Sequence, residues 1–129
     1  AIAGSSLGGV ASLFLAMETH AFGIACSMSS AVCWAPGYLE RLRLMKKKPL
    51  CIYHDIGTGE QAGMAPDNYG DKPLELQQVL LQAGYQPETE LKFVIEQNGQ
   101  HHESAWARRL PAMLLWMYGK APDRLPVTG

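Results

Sequence analysis

Gly4-Ser5-Ser6-Leu7-Gly8 is a Gly-x-Ser-x-Gly segment set between a short run, Ala1-Ile2-Ala3, and a helical pattern that opens at Leu7. A serine in that place has chemical meaning. A tight strand-to-helix turn lifts its hydroxyl clear of a sheet, glycines spare the bend from collisions, and the next amide faces the spot where an oxyanion would form. Ser6 is the candidate nucleophile and the Leu7 amide the candidate oxyanion donor, a pairing suited to acyl transfer. The plainer reading is a glycine-rich helix start with Ser5 or Ser6 as its N-cap.

A serine nucleophile needs a base, and the base needs a carboxylate to orient it. Asp55 and Glu60 follow one strand-like run, and His101-His102 follow the next, so serine, acid and histidine occur in that order. Of the four histidines, His20 closes a helix and His54 lies within a strand, both ordinary structural places. The His101-His102 pair sits in a loop and is the better source of a base.

These groups must be positioned by the elements around them. Apolar spacing predicts helices at Leu7 to Glu18, Tyr38 to Met45, Pro73 to about Ala83 and Glu103 to Tyr118. Strand-like runs are the end of one at Ala1 to Ala3, then Phe22 to Met28, Leu50 to His54 and Leu91 to Ile95. Ser29 to Gly37, Asp55 to Gly59, Pro66 to Lys72 and Glu96 to Gln100 read as loops or turns, Gly84 as a helix C-cap, and Gly119 and Pro122 as a stop. Alternating strands and helices predict an α/β sandwich with a mostly parallel sheet, whose C-terminal strand ends would gather Ser6, the acid and the histidine at one edge. In the last helix Trp106, Leu110, Met113 or Leu114, and Met117 form the expected packing stripe, with Pro111 expected to bend it.

Several segments together resemble the esterase D-like esterases of the α/β-hydrolase fold, a group that includes ferric-siderophore esterases. Ile2-Ala3-Gly4-Ser5-Ser6-Leu7-Gly8-Gly9 looks like the family's nucleophile elbow, and Ser29 through Trp34 is similar to its Ser-Pro-Ser-Phe-Trp-Trp loop, with departures at Ser30 and Cys33. Asp55-Ile56-Gly57-Thr58-Gly59-Glu60 resembles an Asp-x-Gly-Thr-x-Glu segment, and His101-His102-Glu103-Ser104-Ala105-Trp106 resembles His-Asn-Glu-Ala-Ala-Trp. The resemblance implies a three-layer α/β-hydrolase sandwich, with Ser6 as nucleophile, His101 as base and Glu60 as orienting acid. Asp55 is the alternative acid, and His102 could exchange roles with His101. It further implies a small or moderate-sized carboxylic ester as substrate and no cofactor or metal. An acyltransferase using the same serine, or a non-catalytic binding or assembly module built from a hydrolase, are the rival functions. Trp34 and Met28, with Met64 and Tyr69, are candidate lining residues.

In family terms the chain corresponds to the C-terminal half of the fold, beginning at the elbow. The expectation is that its first strand exposes a sheet edge, covered by the N-terminal half or by self-association.

Composition narrows the field further. A chain of 129 residues with 47% hydrophobic content suits one domain, here spanning residues 1–129. Eleven Lys and Arg against twelve Asp and Glu leave a net charge of -1, which argues against a nucleic-acid partner. The longest apolar run, Val10 to Met17 broken by Ser12, is far short of the ~20 residues that span a bilayer, so no membrane partner is expected. With no basic segment ahead of an apolar one, a cytoplasmic location is the expectation. Cys26, Cys33 and Cys51 suit buried thiols better than a disulfide framework or a zinc site. The basic run Arg41, Arg43, Lys46, Lys47 and Lys48 reads as a solvated helix end.

Overall fold

The computed structural model describes residues 1–35, 37–60 and 71–119. Met64 and Tyr69, most of the Pro66 to Lys72 turn, and Pro122 lie outside the described residues. In chain order the elements are β1 (Ile2–Ser5), α1 (Leu7–Glu18), β2 (Ile24–Met28), a single 3-10 turn (Val32–Trp34), α2 (Tyr38–Leu44), β3 (Cys51–Gly57), α3 (Asp71–Gln82), β4 (Leu91–Glu96) and α4 (Glu103–Tyr118). The four strands form one sheet in the order β1-β2-β3-β4, each pair parallel.

Helices cover both faces, and the alternation of strand side chains decides which residues each cover buries. Ala25 pairs in register with Ile52, and both face α1, α2 and α3, whose Leu13, Leu42, Leu76 and Leu80 complete the larger core. Cys26 pairs with Tyr53 on the opposite face, where α4 packs Met113, Trp116 and Met117. Leu13 is 0% exposed, and truncating such a leucine to alanine costs about 2–5 kcal/mol. Two helical layers around a parallel sheet make the three-layer architecture expected of the sequence.

Three expectations need correction. β3 runs on to Gly57 instead of ending at His54, because its pairing with β4 continues through Asp55↔Val94, Ile56↔Ile95 and Gly57↔Glu96. Parallel pairing prevails there over the local turn preference of Asp and Gly. The buried stripe of α4 is Ala105, Arg109, Met113, Trp116 and Met117, while Leu110 and Leu114 face outward. An arginine therefore occupies the middle of the packed face, for a reason found in the site below. Cys33 is half-buried, unlike Cys26 and Cys51, which are buried.

Pro111 lies inside α4 on its exposed side, and the helix runs through it. The carbonyl it leaves without an amide partner belongs to Ala107, an exposed residue that water can serve. The basic run is largely spent on the chain's own carboxylates: Arg41 meets Glu18, Arg43 meets Glu75 and Lys47 meets Glu90. No helix among the described residues is long and apolar enough to cross a membrane.

Candidate active site

Ser6 holds φ 58° and ψ -123° at the junction of β1 and α1, a sparsely populated positive-φ conformation that costs a residue with a Cβ about 1–3 kcal/mol. Neighbouring backbone holds it there. The Ser6 amide donates to the Met28 carbonyl at 2.9 Å, and the Ser6 carbonyl accepts from the Ala31 amide at 3.2 Å, so the bend is tied to the end of β2. Two glycines make this approach possible. A Cβ on Gly4 would come 2.4 Å from the Gly8 carbonyl oxygen, and one on Gly9 would come 2.7 Å from Ser27 Oγ. Gly8 itself has open space, so its part in the turn is its backbone oxygen and not a missing side chain.

The Ser6 hydroxyl does not cap α1. Instead its Oγ lies 2.8 Å from Nε2 of His101. The other ring nitrogen, Nδ1, lies 2.9 Å from Oε2 of Glu60, whose side chain is 0% exposed. Ser6 follows β1, Glu60 follows β3 and His101 follows β4, so three C-terminal strand ends converge, as open α/β sheets provide.

Glu60 is held by more than the histidine. Its Oε1 accepts from the Gly57 amide at 2.8 Å and from the Ser29 hydroxyl at 2.6 Å. The close seat of this loop depends on glycine again: a Cβ on Gly57 would come 2.2 Å from the Gly99 carbonyl oxygen. Asp55, the other candidate acid, is turned elsewhere. Its Oδ1 accepts from the Ser29 amide at 2.8 Å and its Oδ2 from the Tyr53 hydroxyl at 3.0 Å. Burial pushes the Asp55 carboxyl up to about 6, against the opposing pull of Arg109. Burial beside Asp55 likewise raises the Tyr53 phenol.

Arg109 explains its own place on the packed face of α4. It is 6% exposed, with Nη1 3.3 Å from Asp55 Oδ1, Nη2 3.7 Å from Glu60 Oε1 and Nε 3.4 Å from Glu96 Oε2. Buried carboxylates need such a counter-charge, because an unpaired charge at that depth would be strongly penalised. Sequence reading missed Arg109, since an arginine within a helix normally faces water. The available signal was its i, i+4 spacing with Ala105 and Met113. Trp106, expected to be packing, also serves the site, with its ring edge-on to His101 at 5.2 Å between centroids.

His102 is placed outside this group. Its Nδ1 accepts from the Ser104 amide at 3.1 Å and caps α4. His54 is fully buried, stacked on Phe93 with 4.2 Å between ring centroids and bonded to Gln77; burial depresses it to about 4. Of the candidate lining residues, Met28 is 5% exposed and packs in the α4 core, so only its backbone carbonyl serves the turn. Trp34 is 58% exposed on the 3-10 turn. An open apolar cavity of about 420 Å³ runs beside the start of α1, lined by Leu7, Val10, Phe14 and Tyr38 among others. No group of three or more His, Cys, Asp or Glu among the described residues is arranged to hold a metal ion.

The four-stranded parallel sheet with helices on both faces, bent sharply at a serine between its first strand and helix, is an α/β-hydrolase-like fold. Within that class the chain belongs to the esterase family: the family model described as "Putative esterase" matches residues 1–117. A search of curated proteins returned no match.

Proposed function

We propose that the chain hydrolyses carboxylic esters through an acyl-enzyme on Ser6. The observation that carries this reading is the line of contacts in which His101 Nε2 lies 2.8 Å from Ser6 Oγ while Nδ1 lies 2.9 Å from Glu60 Oε2. With the Nδ1 proton directed at Glu60, the Nε2 lone pair faces the Ser6 hydroxyl and can take its proton. Ser6 Oγ then bonds to the ester carbonyl carbon, and the carbonyl electron pair moves onto oxygen. The Leu7 amide, at the N-terminus of α1, donates to that oxyanion. Collapse breaks the bond to the alkoxy oxygen, which leaves with the proton from His101. Water repeats the sequence on the acyl-serine and releases the acid.

Glu60 holds the ring in place and stabilises the imidazolium, and Asp55 takes no direct part. The substrate class is a small or moderate-sized carboxylic ester. The test is hydrolysis of p-nitrophenyl acetate by the wild-type chain and by Ser6→Ala. Turnover that vanishes in the variant while its circular dichroism stays native supports the reading; equal turnover in both overturns it.

We also propose that the outer edge of β1 is covered in the working protein. β1 pairs with β2 on one side, and no strand among the described residues lies on its other side. Leu7 at 62% and Leu15 at 42% leave apolar surface open on the adjoining helix. An unprotected strand edge next to apolar surface invites further pairing.

A further inference from the structure

The hydroxyl of Ser29 sits where the two buried carboxylates, the arginine and the tryptophan meet. Ser29 is 0% exposed and holds φ 45°, the second strained serine at a C-terminal strand end. Its Oγ lies 2.9 Å from Trp106 Nε1, 2.8 Å from Arg109 Nη2 and 2.6 Å from Glu60 Oε1. An indole N–H and a guanidinium N–H can only donate, so Ser29 Oγ must accept from both. Its own proton is thereby aimed at Glu60 Oε1, the remaining partner of the three.

We infer that Ser29 is a positioning residue whose hydroxyl, oriented by two donor-only neighbours, aims Glu60 as an acceptor toward His101. Oε1 receives the Ser29 O–H and the Gly57 N–H, which leaves Oε2 to receive the Nδ1 proton of His101. The direction of every proton from Trp106 and Arg109 to Ser6 then follows from chemistry that cannot be reversed at its first members. The same serine ties the second carboxylate through its backbone, because the Ser29 amide donates to Asp55 Oδ1 at 2.8 Å. Asp55 and Arg109 therefore hold the anchor from both sides, and Glu60 is aimed by it. The positive φ serves this arrangement by turning amide and hydroxyl toward different carboxylates.

This inference rests on the serine-esterase reading, and its test separates the two. Ser29→Gly removes the hydroxyl and suits the left-handed backbone better than serine does. Hydrolysis of p-nitrophenyl acetate is measured for wild type, Ser6→Ala and Ser29→Gly, together with the downfield proton resonance of His101 Nδ1–H. The expected result is a wild type far faster than Ser6→Ala, and a Ser29→Gly whose kcat falls about 10- to 100-fold with KM changed less than about twofold. The Nδ1–H resonance is expected to shift or broaden in Ser29→Gly. Should the glycine variant fail to fold, Ser29→Cys, slightly larger and a weaker donor and acceptor, is expected to show the same split between kcat and KM. A wild type no faster than Ser6→Ala overturns the esterase reading and this inference with it. An active wild type whose Ser29 variants keep kcat and the resonance overturns the inference alone.

Discussion

Arg109 bridges Asp55 and Glu60 from the packed face of α4, 3.3 Å from the first carboxylate and 3.7 Å from the second. Both carboxylate side chains are 0% exposed, so the cation is the condition on which two like charges share one interior. Arg109→Leu is expected to destabilise the fold by about 3–5 kcal/mol, the range for removing one partner from a buried ion pair. Urea unfolding measures it, and the double variant Asp55→Asn with Arg109→Leu should recover part of the loss.

The two candidate acids should separate in turnover. Glu60→Gln is expected to lower kcat by about 10³- to 10⁴-fold, because the amide no longer selects the histidine tautomer with a proton on Nδ1. Asp55→Asn is expected to lower it less than about tenfold, since Asp55 reaches the histidine only indirectly, through Ser29 and Arg109. Steady-state hydrolysis of one p-nitrophenyl ester by both variants makes the comparison.

Stability should depend on pH through His54 and Asp55 with opposite signs. His54 is depressed from 6.5 to about 4, so the unfolded chain binds its proton first. Its contribution is present above 6.5 and is lost as pH falls toward 4, amounting to about 3 kcal/mol. Asp55 is raised from 3.8 to about 6, so the folded chain holds the proton within that window and stability from this group falls as pH rises through it. Urea midpoints from pH 4 to 7 should show wild type gaining on His54→Gln as pH rises, and losing ground to Asp55→Asn.

The free side of β1 should show itself in solution. The 129-residue chain on its own is expected to self-associate, with light scattering after size exclusion reading a dimer or larger species. A well-folded monomer across micromolar concentrations would contradict the covered-edge proposal.

Much of this molecule could be read from local pattern. Leu7–Glu18 and Glu103–Tyr118 emerged from apolar spacing with the bounds they have in the fold, and the turn at Ser6 emerged from its glycines. Asp55 and Ile56 misled because Asp and Gly favour turns locally, whereas β4 supplies a parallel partner that is distant in sequence. Glu60 and His101 became candidates through a resemblance of motifs, while their separation in the chain says nothing of distance. Arg109 and the hydroxyl of Ser29 escaped notice for one reason. Their value lies in satisfying buried charge, and burial of a polar side chain is settled by packing between elements that periodicity treats singly.

Ser6 is tested most directly by labelling the purified chain with a fluorophosphonate and locating the modified residue by mass spectrometry. A single adduct on Ser6 is expected, lost in Ser6→Ala and slowed in Glu60→Gln. A folded wild-type chain that takes no label, or that takes it elsewhere, would contradict an activated serine at the end of β1.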